Sequence, residues 1–183
     1  MSKGKKSLKS HLPWLIKIFI ITFILSIVFN YLSTEVVENL NILISILILI
    51  FVILIGVVSD LIATAVTAAD EAPFHAKAAD KKRGAKQSVA VIKNADKVSN
   101  VCGDVIGDIC GVLSGATSAL ISVNIANSLG HADISVITML VTATVTATTV
   151  LGKAMGKHFG ISYATRIVDI LGIILSWFSF KKK

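Results

Sequence analysis

The chain has 183 residues, of which 54% are apolar and 16% charged, with a formal net charge of +7. Its mean hydropathy of +0.81 excludes an ordinary soluble domain, where apolar residues reach only about 45–50%. The basic residues flank the apolar segments, so the pI near 9.5 reports membrane topology and not a nucleic-acid surface.

The N-terminus, MSKGKKSLKSH, is basic and leads into an apolar run over 13–32 broken only by Lys17. That run is longer than the apolar region of a secretory signal. NYLSTEVVEN after it offers no small-residue cleavage site, so we read a retained first span. LILISILILIFVILIGVV opens a second span over about 41–68, interrupted near its end by Ser59 and Asp60. Residues from about 70 to 96 read as short, solvated polar helices, with Pro73 opening the first and Gly84 breaking it. A third span follows over about 98–126 and a fourth, rich in Thr, Val and Ala, over about 134–156. ISYATRIVDILGIILSWFSF, about 161–180, carries a polar stripe of Ser162, Arg166, Asp169, Ser176 and Ser179 opposite an apolar face. With a lysine cluster after it, this pattern suits an interfacial helix better than a fifth span.

Lys3, Lys5, Lys6 and Lys9 precede the first span, seven basic residues lie between the second and third, and Lys157, Arg166 and Lys181–Lys183 follow the fourth. Neither short connection, 33–40 or 127–133, contains Lys or Arg. Both termini and the central segment are therefore expected on the cytoplasmic side of the cell membrane. The expected fold is all-α and integral to the membrane: residues 1–40 give an extra first span, and 41–183 a three-span domain.

Within the third span, glycine recurs every fourth position at Gly103, Gly107, Gly111 and Gly115. Such a ridge predicts close helix packing. Asp104 and Asp108 follow the first two glycines, Asp60 lies in the second span and Lys153 near the end of the fourth. Alternate spans run in opposite directions, so all four arrive at similar depth on the inner side. Charges at that depth need a partner or a pathway. Three acids against one base form either a water-filled cation site or a salt-bridged knot. Ser59, Thr64, Thr67, Ser114 and Ser118 would add hydroxyls, and such oxygen ligands suit Mg²⁺ or Na⁺.

No other chemistry stands out. Cys102 and Cys110 are eight residues apart, too far along one helix for a disulfide. The four histidines, including His11, His75 and His131, are scattered. The Gly152–Lys157 stretch lacks the spacing of a phosphate loop. An intramembrane aspartyl protease would need a GxGD motif, but Val101 and Val105 stand at the earlier glycine positions, so no enzyme is expected.

Three blocks resemble the transmembrane domain of the CNNM/CorB/CorC family. In ATAVTAADEAPFHAKAADKKRGAKQSVAVIKNADKVSN, the residues Thr64-Ala65, Thr67, Ala85-Lys86, Asn94, Asp96 and Lys97 fall in step with it. Gly103 and Asp104 resemble the Gly-Asn of its ion-binding helix, and Asp108 its later Asn. In GKAMGKHFGISYATRI, Gly152, Lys157, Tyr163 and Arg166 match. The resemblance covers about residues 55–183. It implies a homodimer in membrane lipid, linked to divalent-cation transport, with Mg²⁺ as the bound or transported ion. Carried over, the ion site falls at Asp60 (or Ser59), Asp104 and Lys153. The family's first-span Glu is Ala63 here, its third-span Glu is Lys153, and its Pro is Gly156. An ammonium at Lys153 repels Mg²⁺ or serves as a tethered cation. The sequence holds no CBS pair, so a separate regulatory subunit would supply that role. The second reading is a non-transporting membrane scaffold in which Lys153 salt-bridges the aspartates.

Overall fold

A computed structural model describes residues 3–38, 40–129 and 133–179. Residues 130–132, with His131 (expected in an outer turn), and the terminal lysines lie outside the described residues. The helices are α1 (Lys3–Glu38), α2 (Ile42–Ala68), α3 (Ala72–Ala79), α4 (Ala85–Lys93) and α5 (Ala95–Ser99). A π-helical segment (Asn100–Gly107) follows, then α6 (Asp108–Ser128), α7 (Ile134–Ser162) and α8 (Ala164–Ser179). No strand occurs among the described residues.

Among the described residues, four stretches are long and apolar enough to cross a membrane: Leu12–Tyr31, Ile42–Ala68, Ala95–Ser128 and Ile134–Ser162. These correspond to the expected spans, although the fourth continues six residues past 156. At 16 residues α8 covers about 24 Å, short of a hydrocarbon core about 30 Å thick.

Helix α2 is the hub, packing on α7, α6, the π segment, α5 and α8. Its apolar stretch is hydrophobic on all sides, as a span with both protein and lipid neighbours requires. Large side chains such as Leu43, Leu47, Phe51 and Leu54 point outward, while Ser45, Leu49, Gly56, Ser59 and Ala63 point inward. α1 lies along the third span, where Ile18 and Leu25 meet Val105, Ile109 and Leu113.

The segment between the second and third spans is packed, in contrast to the solvated hairpin its polarity suggests. Phe74 is fully buried among Val66, Val91, Ile92 and Val168, which joins α3 and α4 to the end of α2 and to α8. Pro73 lies in the first turn of α3, where its missing N–H costs no helical bond. Gly84 holds φ +81°, a left-handed conformation that turns the chain into α4. A Cβ on Gly172 of α8 would collide with Ser88 and stand 2.7 Å from the Gly84 carbonyl oxygen, so α8 seats directly on the start of α4. Lys77 of α3 is ion-paired with Asp169 of α8, and the Ser88 hydroxyl donates to the Val168 carbonyl at 3.2 Å. The expected wet stripe of α8 is therefore partly inside: Ser176 is buried and Asp169 is half-buried and paired.

Candidate functional site

The polar centre lies where α2, the third span and α7 cross. Asp60 ends one turn of α2, and its side chain is only 14% exposed. Its Oδ2 is enclosed without a hydrogen bond, and Lys157 Nζ stands 3.6 Å away, close enough for an ion pair. Lys157 is 58% exposed, so its stem lies along the protein while its ammonium can meet solvent or headgroups. One turn earlier on α7, Lys153 donates to the Gly107 carbonyl at 3.4 Å, and its Nζ lies 4.0 Å from Asp108 Oδ1. Asp108 is 73% exposed, so Lys153, at 25%, is held more by the carbonyl than by the carboxylate.

Two lysines from one face of α7 thus reach two different neighbours. Residues four apart on a helix lie one above the other, which makes this division possible. Lys153 goes to the junction where the π segment gives way to α6, and Lys157 goes to α2. The role expected of Lys153 for all three aspartates is divided between Lys153 and Lys157. The sequence carried the signal, since Lys157 follows Lys153 at helical spacing, but its place among the flanking basic residues concealed it.

The aspartates do not converge. Among the described residues no three His, Cys, Asp or Glu side chains come together to hold a metal ion. Asp60 faces Lys157, Asp108 faces Lys153, and Asp104 is exposed. This corrects the expectation of an Asp60, Asp104, Asp108 and Ser59 cluster. The residues present do not fit Mg²⁺, because two ammonium groups occupy the positions where its ligands would have to face it. The hydroxyls are also engaged within their own helices: Thr64 donates to the Asp60 carbonyl at 2.9 Å, Thr67 to Ala63 at 3.2 Å, Ser114 to Cys110 at 2.7 Å and Ser118 to Gly115 at 2.8 Å. Ser59 is buried.

The glycine ladder is divided as well. A Cβ on Gly103 would stand 3.2 Å from Ala63 Cβ, and one on Gly107 3.8 Å from Lys153 Nζ and 4.0 Å from the Gly56 carbonyl oxygen. At Gly111 and Gly115 nothing lies within 4 Å. In an α-helix a four-residue step overshoots a full turn by about 40°, so the ladder spirals off the contact face. Ser114 and Ser118, seven and eleven residues after Gly107, return to within about 20° of it. They, with Ser122, form the buried small-residue column of α6. Close packing at all four glycines is thus corrected to Gly103 and Gly107.

A second ladder went unrecognised in the sequence. Gly152, Gly156 and Gly160 of α7 lie against Val57, Leu61 and Thr64 of α2. Added Cβ atoms would stand 2.9 Å from Val57 Cγ2, 3.3 Å from Val57 Cγ1 and 2.9 Å from the Leu61 carbonyl oxygen respectively. This close approach brings α7 near enough for Lys157 to reach Asp60.

Among the described residues the fold is all-helical, with four helical stretches long and apolar enough to span a membrane, as in an integral membrane protein. No protein-family profile, curated protein or solved structure matches the chain.

Proposed function

We propose that this chain is a non-transporting membrane subunit or scaffold of the cell membrane, with both termini cytoplasmic and its polar centre closed by its own lysines. The observation that carries this reading is the paired reach of Lys153 and Lys157 from one helix face to Gly107 with Asp108 and to Asp60. Lys157 offsets the charge of Asp60, an enclosed acid that is costly at membrane depth without a partner, while Lys153 is held chiefly by the Gly107 carbonyl beside Asp108. Together they tie α7 to both neighbouring spans. The two ammonium groups stand beside Asp60 and Asp108, so the centre has no need of Mg²⁺ to balance these acids. A homodimer with a separate regulatory or catalytic partner fits such a role.

The test is Mg²⁺ flux into liposomes together with Mg²⁺-dependent thermal stabilisation. The wild type should show neither, and Lys153→Glu should gain Mg²⁺-dependent stabilisation. Flux in the wild type would overturn the reading.

A second reading, CNNM-like divalent-cation transport or homeostasis, keeps one observation in its favour. Asp60 Oδ2 is enclosed without a hydrogen bond, and a movement of Lys157 away from it would leave an acceptor for a cation. Under that reading Lys157→Met raises Mg²⁺ flux, whereas under the scaffold reading it only destabilises.

A further inference from the structure

The turn from α3 to α4 and the C-terminal end of α8 enclose a groove of about 880 Å³, lined by Lys81, Lys82, Arg83, Lys86, Gln87 and Ser176 among others. None of these residues belongs to α2, α6 or α7, so the groove is separate from the polar centre. Four of them are cations. Among the described residues one carboxylate is paired with them, Asp80 at 3.9 Å from Lys82, and both partners are largely exposed. Four positive charges against one negative leave a net +3.

The backbone shapes this groove. Lys81 at φ +55° and Gly84 at φ +81° turn the chain sharply, so consecutive basic residues face a common space. Ser176 is buried, its hydroxyl donating to the Ile173 carbonyl at 2.7 Å. The Arg83 guanidinium lies 5.5 Å from the centre of the Trp177 ring, a cation–π arrangement that joins the basic turn to α8.

Two kinds of surface meet there. Trp177 is 66% exposed, and Ile170, Ile173 and Ile174 are also exposed on the outward side of α8. An apolar face of that kind, ending in an aromatic ring beside a basic groove, has the pattern of a helix at the headgroup level. A free phosphate would use the cations but leave the apolar face without an occupant. An anionic lipid uses both.

We propose that the groove between the α3–α4 turn and α8 binds the phosphate-bearing headgroup of an anionic phospholipid, with Lys82, Arg83 and Lys86 facing the phosphate and the acyl chains running along Ile173 and Trp177. The ligand chemistry is a phosphate anion, and its source is the cytoplasmic leaflet. The site anchors the α3–α4 hairpin to the membrane surface and makes its position sensitive to lipid charge.

The test uses the full chain in neutral detergent, with Trp14→Phe so that Trp177 is the sole tryptophan reporter. Phosphatidylglycerol should change Trp177 emission saturably, at least about tenfold more tightly than phosphatidylcholine. Millimolar inorganic phosphate should neither reproduce nor compete with the change. Replacing Lys82, Arg83 and Lys86 together by Gln should weaken phosphatidylglycerol binding about a hundredfold, at about fivefold per basic residue. Removing three charges that do not line the groove, with Lys3→Gln, Lys5→Gln and Lys6→Gln, should leave it unchanged. Arg83→Lys, which keeps the charge and the fold of the turn, should retain phosphatidylglycerol selectivity while weakening binding less than the triple change. Equal binding of both lipids, displacement by phosphate alone, or equal loss from both triple variants would each overturn the proposal.

Discussion

The two glycine ladders of this protein have the same spacing and different fates. Gly152, Gly156 and Gly160 of α7 all lie against α2, whereas in the third span Gly103 and Gly107 are in contact and Gly111 and Gly115 are not. Spacing alone therefore does not make a packing face. A four-residue ridge stays in contact only where the partner helix crosses at an angle that follows its drift. Where the partner departs, the contact passes to residues at seven- and eleven-residue steps, here Ser114 and Ser118. The π segment adds to the difference, because its wider turn changes the register just before α6 begins.

The comparison is broken most strongly at Gly160. A Cβ there would press on a main-chain oxygen, which has no rotamer into which to retreat. Gly160→Leu should destabilise by about 3 kcal/mol and Gly160→Ala by about 1–2 kcal/mol, measured by unfolding in detergent micelles. Gly152→Ala should cost less, since Val57 Cγ2 belongs to a side chain that can shift. Equal costs at the two positions would mean that α2 and α7 do not hold the separation described.

The next effect concerns the ion pairs that the α7 ladder makes possible. Lys157→Met leaves Asp60 enclosed without a cation and should cost about 1–2 kcal/mol. That is below the range for a fully buried pair because the lysine is largely exposed. Adding Asp60→Asn should recover at least about 0.5 kcal/mol of this loss in a double-mutant cycle. Asp108→Asn should change stability by less than about 0.5 kcal/mol, since its carboxylate is well exposed and 4.0 Å from Lys153. A larger loss at Asp108 than at Lys157 would reverse the assignment of which pair matters.

Much of the architecture was legible because its cause is local. Long uncharged runs set the four candidate spans among the described residues, and Pro73 and Gly84 set the starts of α3 and α4. The site was less legible. Depth follows from topology, and on that basis Asp60, Asp104, Asp108 and Lys153 belong at one level. Facing direction does not follow from topology, since it depends on helix rotation and on the added residue per turn in the π segment. That is why the aspartates separate, and why Lys157 took a role that Lys153 was expected to hold alone. The packed hairpin was hidden for a similar reason: its polar composition concealed Phe74, whose burial depends on α8 arriving from the far end of the chain.

The smallest expected effect tests the open half of the third-span ladder. Gly111→Ala and Gly115→Ala add a methyl where the single chain has nothing within 4 Å, so no contact opposes them. Each removes backbone freedom from the unfolded state and improves helix propensity, so each should leave stability unchanged or raise it by up to about 1 kcal/mol. The same substitutions at Gly103 and Gly107 meet Ala63 Cβ and the Gly56 carbonyl oxygen and should not stabilise. If Gly111→Ala and Gly115→Ala instead destabilise, and do so more steeply as protein concentration rises in the micelle, then a second copy of the chain covers that face. The ladder would then be divided between a contact within the chain and a contact between chains, with Gly107 at the boundary.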